Sequence, residues 1–224
     1  MAAGQPQRLP VSHLLLAGGG HSHALLLRQW AMEPSTRPGV EAITLVSAQP
    51  ASLYSGLIPA CLSGAVAPEA CVLDVWGLCR AAGVIFVKAT VTGLDTANRQ
   101  LRPTGDRPPL SYDWLSLNLG AEVRAPKRPG CLPIKPLEPV LAALAALPIG
   151  AAVRVVGSGP AAVEVSLALA ARGFAVSLSG LPERAFWKGF DGALKAAGVL
   201  LDSAAQSCDL ELELYCTGLS LIHI

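Results

Sequence analysis

The chain has 224 residues, 52% of them apolar and only 15% charged, with a net charge of +1. That balance excludes intrinsic disorder, which needs low hydrophobicity and high net charge, and it supplies no basic field for nucleic acid or anionic lipid. The length allows one large domain or two modest ones.

Residues 1–11 lack the apolar core of a secretory signal and carry a single Arg8, so they read as a disordered N-terminal tail. A continuously apolar strand over 13–17 follows, the kind that a parallel sheet covered on both faces requires. A glycine turn at 18–20, a helix over about 21–32, a Pro/Gly loop and a strand over 42–47 come next. A loop region with Pro50, Gly56, Pro59 and Gly64 leads to a short helix over 75–82, ended by Gly83. A strand over 84–91, a turn near 97–98 and a strand over 114–118 that closes on Gly120 complete a first unit, bounded at 12–124. Residues 125–139 hold five prolines in fifteen positions and read as a connector. With a helix over 137–147 it fills 125–150. The longest apolar stretch, 140–153, is broken by Pro148 and Gly150 and is too short for a bilayer span.

After Gly150 the opening arrangement returns. "AVRVVGSGPAAVEVSLALAARGFAVSLSG" is strand, glycine turn, helix, glycine stop and strand, about 140 residues after the first copy. This doubling sets the expected fold class: α/β, with two Rossmann-like dinucleotide-binding units, each a three-layer parallel sheet with helices, the second unit (151–218) shortened. A helix-like piece over 187–197 and an acidic-apolar alternation over 209–215 follow. The last residues, 219–224, fit no element and look non-native. The six cysteines, at 61, 71, 79, 131, 208 and 216, form no CxxC pair and no zinc spacing, so no metal site is expected. They read as reduced, mostly buried thiols of a cytoplasmic protein.

The glycine turns carry the chemistry. Where a parallel strand turns into a helix, the helix's first N–H groups and its dipole make an anion site. In GxGxxG the first glycine makes the tight turn, the second lets a pyrophosphate approach, and the third lets helix and strand pack closely. In the first copy Gly18, Gly19 and Gly20 form the turn, and His23 stands in the third-glycine position; in the second copy the positions are Gly157, Gly159 and Ala162. Neither second strand ends in the carboxylate that would grip an adenosine ribose; Ser47 and Gln49 stand at one end and Ser179 at the other. His21 and His23 are two residues apart, not at the i, i+4 spacing that would let them share a metal. His23 is expected to pack or donate near the phosphates in neutral form, because a helix N-terminus disfavours a charged imidazole.

The ordered stretches "LLLAGGGHSHALLLRQW", "ITLVSAQPASLYSGLIPACLSG", "LSYDWLSLNLGAE", "LPIKPLEPVLAAL" and "VRVVGSGPAAVEVSLALA" together resemble the pyridine nucleotide-disulfide oxidoreductase superfamily. Within it, the chain is most similar to the type II NADH dehydrogenase-like branch, including the flavoprotein module fused to selenide, water dikinase. The resemblance covers 12–180. It implies that Gly18, Gly20 and His23 hold the FAD pyrophosphate, with Ser47 near the adenosine ribose and Val91 along the adenine. Gly120 would end the strand beside the flavin. Tyr54, Ser55, Gly56 and Pro59 match a loop that comes toward the isoalloxazine, and Lys135 a connector near it. Gly157, Gly159 and Ala162 would hold the NAD(P)H pyrophosphate, with Glu164 beside the nicotinamide. Without a ligand, Tyr54 would instead be a core aromatic, Lys135 a solvated loop charge and Glu164 a helix-surface acid. The redox cysteine pair of the disulfide reductases should stand near residue 60, where only Cys61 is found; this implies a flavin shuttle with no dithiol relay. "DLELELYCTG" resembles the strand and turn (Thr217–Gly218) that close the NAD(P)H domain.

The resemblance implies an FAD-dependent oxidoreductase. It would pass hydride from NAD(P)H to flavin and on to a quinone or other small-molecule acceptor, touching a membrane only through a C-terminal part not present here. The expected catalytic residues are Glu164 and Lys135. Two alternatives stand beside it: a truncated nucleotide-binding remnant without turnover, and a flavin-free Rossmann dehydrogenase. The second is disfavoured because no Tyr-xxx-Lys or His/Asp constellation follows either turn.

Overall fold

The computed structural model describes residues 12–180, 189–202, 210–216 and 220–221. The expected tail at 1–11 and the Thr217–Gly218 turn lie outside these. Among the described residues the chain forms two compact units, one of 12–53 and 72–120, the other of 54–71 together with the rest from 121 onward. The stretch 54–71, inside the range expected for the first unit, therefore groups with the second.

The first unit contains β1 (His13–Ala17), α1 (His21–Met32), β2 (Ala42–Ser47) and β3 (Ala51–Leu53). Beyond α2 (Ile58–Leu62), which belongs to the second unit, come β4 (Val72–Asp74), α3 (Val75–Ala82), β5 (Ile85–Lys88), β6 (Val91–Asp95), β7 (Gln100–Pro103), β8 (Leu110–Ser111) and β9 (Trp114–Leu117). Its main sheet runs β5-β2-β1-β9 and is parallel throughout. Leu15, Leu16 and Ala17 are fully buried, as an unbroken apolar run in a central parallel strand demands. Leu16 packs with Leu27, Trp30, Ile43, Leu45 and Val75 under α1 and α3. Leu15 and Ala17 pack with Val46 and Leu101 on the other face. The antiparallel meander β6-β7-β8 brings Leu101 there, so that face is covered by strands instead of helices. Each fully buried leucine contributes about 1.5–3 kcal/mol relative to an exposed one. The ends of α3 are readable in sequence: the Asp74 carboxylate accepts from the Gly77 N–H at 2.8 Å, and Gly83 takes the left-handed conformation past the last turn.

The strand expected over 84–91 is in fact two. Ala89 N–H donates to Ser47 O at 3.0 Å as the last ladder bond of β5, and Thr104 N–H then donates to Thr90 O at 2.8 Å as the chain enters the meander. The polypeptide changes sheets at 89–90, a switch that hydrophobicity does not mark.

The second unit adds β10 (Ala121–Glu122), β11 (Cys131–Pro133), α4 (Leu137–Ala146), β12 (Ala152–Val156), α5 (Pro160–Ala171) and β13 (Ala175–Ser179). It is completed by α6 (Asp191–Ala196), β14 (Leu200–Asp202), β15 (Leu212–Tyr215) and β16 (Ser220–Leu221). The sheet order is β11-β15-β12-β13-β14, again all parallel. The proline-rich connector is thus also a structural element, because β11 forms the sheet's edge. The helix expected over 187–197 is present as α6, with 187–188 outside the described residues. Ser220–Leu221, expected to fit no element, pairs antiparallel with Ala121–Glu122.

The acidic-apolar alternation proves to be a central strand covered on both faces. Leu212, Glu213 and Leu214 are all buried. Glu213 lies in register between Cys131 and Arg154. Its carboxylate accepts from Arg154 Nη1 at 3.1 Å, Cys131 Sγ at 3.1 Å and Tyr215 Oη at 3.2 Å, and from Arg128 Nη2. Burial pushes the Glu213 carboxyl up, but these hydrogen bonds and the two guanidinium groups outweigh it and hold the carboxyl below the ordinary range.

Candidate functional site

In the first unit, β1 stops at Ala17, and Gly18 N–H makes a final 2.7 Å bond to Val46 O. Gly20 then caps α1, whose first turn presents N–H groups with no intrahelical acceptor. A cavity of about 330 Å³ opens here at the C-terminal edge of the sheet, lined by Gly18, Gly19, Gly20, Ser47, Val91 and Gly120 together with Gln49, Ser52, Thr90 and Asn118. The lining contains polar but no charged side chains. Attraction for an anion therefore has to come from main-chain N–H groups and the helix end.

Of these glycines, Gly18 is required by the backbone itself, whereas at Gly20 the obstacle is the end of a side chain. Gly18 has φ +97°, and a Cβ on it would strike the Asn118 carbonyl; a Cβ on Gly20 would overlap the Asn118 amide.

Of the two roles expected for His23, packing or donating near the phosphates, the structure gives it packing beneath the turn. It is 2% exposed and is not among the residues that line the cavity. Its Nδ1 is 2.7 Å from Gly18 O and its Nε2 2.9 Å from Ser116 Oγ. In a helix the third residue turns back over the first turn toward the sheet, so the imidazole buttresses the glycine turn from beneath and ties it to β9.

In the second unit, β12 leads through Gly157 and Gly159 into α5, beside a cavity of about 540 Å³. Ser55, Gly56, Ile58 and Pro59 line it from the α2 segment. Ile134 and Lys135 come from the connector, Ser158 to Ala161, Glu164 and Val165 from the turn and α5, and Cys216 from beyond β15. Lys135 and Glu164, both exposed, are the charged members of this lining. The two glycines differ in what they require. A Cβ on Gly157 would meet Cys216 O at 2.8 Å and Ala162 Cβ at 2.9 Å, whereas one on Gly159 would meet nothing within 4 Å. Ala162 is fully buried, so it packs the helix onto the turn and does not line the cavity. Tyr54 is half-buried and absent from the lining; its ring lies against Gly56, close to where a Cβ would stand.

Cys61 is not isolated: burial first, and then the neighbouring Cys71, push the Cys61 thiol up. Near residue 60 the sequence offers only Cys61, and the fold brings Cys71 beside it. Cys71 returns to it across a ten-residue turn that cysteine spacing alone does not reveal. The thiols of Cys61, Cys71, Cys79, Cys131 and Cys216 are free and buried.

Both cavities suit a dinucleotide. One has bare main chain at a helix start and a buried donor, Asn118 Nδ2, without an acceptor; the other has open space over Gly159. Asn118 escaped the sequence reading, although its place at the end of a strand beside Gly120 was a usable signal. Among the described residues no group of three metal-ligating side chains is present, and no described helix is long and apolar enough to cross a membrane.

Comparison with solved structures finds the same architecture. The chain matches a water-forming NADH oxidase from Lactobacillus brevis bound to NADH (TM-score 0.66, 19% identity, 93% of this chain and 54% of that one). It matches a ferredoxin reductase from Rhodopseudomonas palustris (TM-score 0.71, 18% identity, 93% and 59%). It also matches NDH2 from Plasmodium falciparum in complex with NADH (TM-score 0.67, 16% identity, 94% and 56%). This chain has the fold that these oxidases and reductases share. The superfamily resemblance read from the sequence therefore holds at the level of fold. The chain spans little more than half the length of the structures it matches. No family profile and no curated protein matches it.

Proposed function

We propose that this chain is the nucleotide-binding part of an FAD-dependent NAD(P)H oxidoreductase that delivers electrons to a quinone or other small-molecule acceptor. The observation that carries the reading is the doubling: each unit has an all-parallel sheet, a glycine turn into a helix, and a cavity at that turn. In this reading the first cavity takes FAD, with Gly18 to Gly20 presenting N–H groups to its diphosphate, Ser47 at the ribose, and Val91 and Gly120 flanking. The second takes NAD(P)H, with Gly159 leaving room for the diphosphate and Glu164 beside the nicotinamide, while Lys135 of the connector lines the same cavity on the side expected to meet the flavin. FAD, when bound, supplies the two-electron chemistry, while the protein binds and orients. Matches to an NADH oxidase and to an NADH-bound NDH2 support the reading at the level of fold. The free, buried thiols suit a reducing, cytoplasm-like compartment.

The test is a titration of the purified chain with FAD and, separately, with NADH, followed by NADH oxidation with an artificial acceptor. Saturable binding of both with turnover supports the proposal. Binding of both without turnover leaves the nucleotide-binding remnant, and absence of FAD binding at saturating concentration removes the flavin reading.

A further inference from the structure

We infer that Asn118 is a diphosphate-reading residue of the first cavity, its side-chain amide donating to an anionic oxygen that also meets the start of α1. The inference rests on the nucleotide reading of that cavity and adds a ligand-binding side chain to it.

Three observations converge on this residue. Asn118 lines the cavity at the end of β9, and its amide packs over Gly20, the residue that caps α1. Its Nδ2 is buried yet has no hydrogen-bond partner. An enclosed amide donor with no acceptor costs free energy, and a functional site is where such a cost is found. The same side chain lines the cavity at the glycine turn, where a bound diphosphate would supply the acceptor this donor lacks. The chemistry at the site selects the ligand class. The lining contains no cation, so the helix end and neutral donors must hold the anion. A carboxamide suits that position, whereas a carboxylate of the same shape would itself occupy the helix N-terminus and repel phosphate.

The experiment uses the full chain carrying Gly159→Val, which closes the second glycine turn so that ADP reports on the first cavity. ADP affinity and the melting temperature of the empty protein are measured for this chain and for it with Asn118→Asp or Asn118→Leu. Loss of one hydrogen bond to a charged group is expected to weaken ADP binding about tenfold or more in both variants. The melting temperature of the empty protein should hold or rise, because Leu removes an unmet donor and Asp is favoured at a helix start. Affinities within about twofold of the parent overturn the inference. So does a loss of affinity that comes with a lower melting temperature, which marks a structural role. A parent chain that binds no ADP overturns both this inference and the nucleotide reading of the cavity, whereas intact ADP binding with unresponsive Asn118 variants overturns this inference alone.

Discussion

His23 and Gly18 are joined by a hydrogen bond of 2.7 Å from the imidazole Nδ1 to the main-chain oxygen of the glycine turn. A carbonyl only accepts, so Nδ1 carries the proton. In the neutral ring Nε2 then accepts from Ser116 Oγ at 2.9 Å. The histidine therefore serves the candidate nucleotide site without lining it. It fixes the carbonyl of the residue whose left-handed conformation makes the turn.

Acid should loosen this arrangement. Burial lowers the His23 pKa from its ordinary 6.5, and the bond to Gly18 offsets only part of that. The unfolded chain then binds the proton first, so the contribution of His23 is fully present above 6.5 and declines as the pH falls below it. The melting temperature of the empty protein should drop between about pH 7 and pH 5. In His23→Asn, which keeps a donor near the Nδ1 position, this part of the slope should disappear. Equal slopes in the two proteins would contradict the assignment.

The two glycines of the second turn should separate fold from ligand. Gly157→Ala drives a methyl into Cys216 O and Ala162 Cβ and should cost about 1–3 kcal/mol in urea unfolding. Gly159→Ala meets nothing within 4 Å and should cost no more than about 1 kcal/mol as a cap change. It should nonetheless weaken NADH binding, read by fluorescence titration. Undiminished NADH affinity in Gly159→Ala would mean that the open space there is not a diphosphate seat.

Glu213 should be the most costly charge to remove. It and Arg154 are 8% and 6% exposed, and breaking a buried pair by deleting one partner costs about 3–5 kcal/mol. Arg128 is solvent-screened and contributes less. Glu213→Gln should lower stability by that order. With its pKa held below the ordinary 4.5, the carboxylate contributes stability above that value and loses it as the pH falls further. The acid-unfolding profile of Glu213→Gln should therefore be flatter below about pH 4.5 than that of the wild type.

Cys79 and Cys216, both pushed up to about 12 chiefly by burial, should resist alkylation. At pH 8 a thiol with that pKa is about one part in ten thousand thiolate. Mass mapping after iodoacetamide treatment should find both unmodified in the native protein and both modified in urea. Native modification of Cys216 would show that its side of the second cavity is more open than described.

Much of the fold was legible because its signals are local. Four consecutive apolar residues from Leu14 onward, the Gly18–Gly20 and Gly157–Gly159 turns, and the Asp74 cap with Gly83 each act through neighbours in sequence. The switch at Ala89–Thr90 was hidden, because a strand that leaves one sheet for another keeps its apolar character. The edge strand within the proline-rich connector was hidden for a related reason: its partner, β15, lies about eighty residues away. At the candidate site, Ser47, Val91, Gly120, Gly159, Lys135 and Glu164 all line a cavity. His23 and Ala162 lie beneath the turns, and Tyr54 braces Gly56.

The amino-acid sequence by itself determined the two strand–turn–helix units and the places where the main chain is bare, because helix starts, tight turns and apolar periodicity are set within a few residues. Tertiary structure alone decided which side chains those turns press against. Asn118 over Gly20, His23 against Ser116 and Glu213 between Cys131 and Arg154 are all made by strands brought side by side from distant parts of the chain. The physical reason is that a parallel sheet orders its strands by burial and hydrogen bonding, not by succession in the chain. The polar groups that meet at its edge therefore come from segments that no local pattern links.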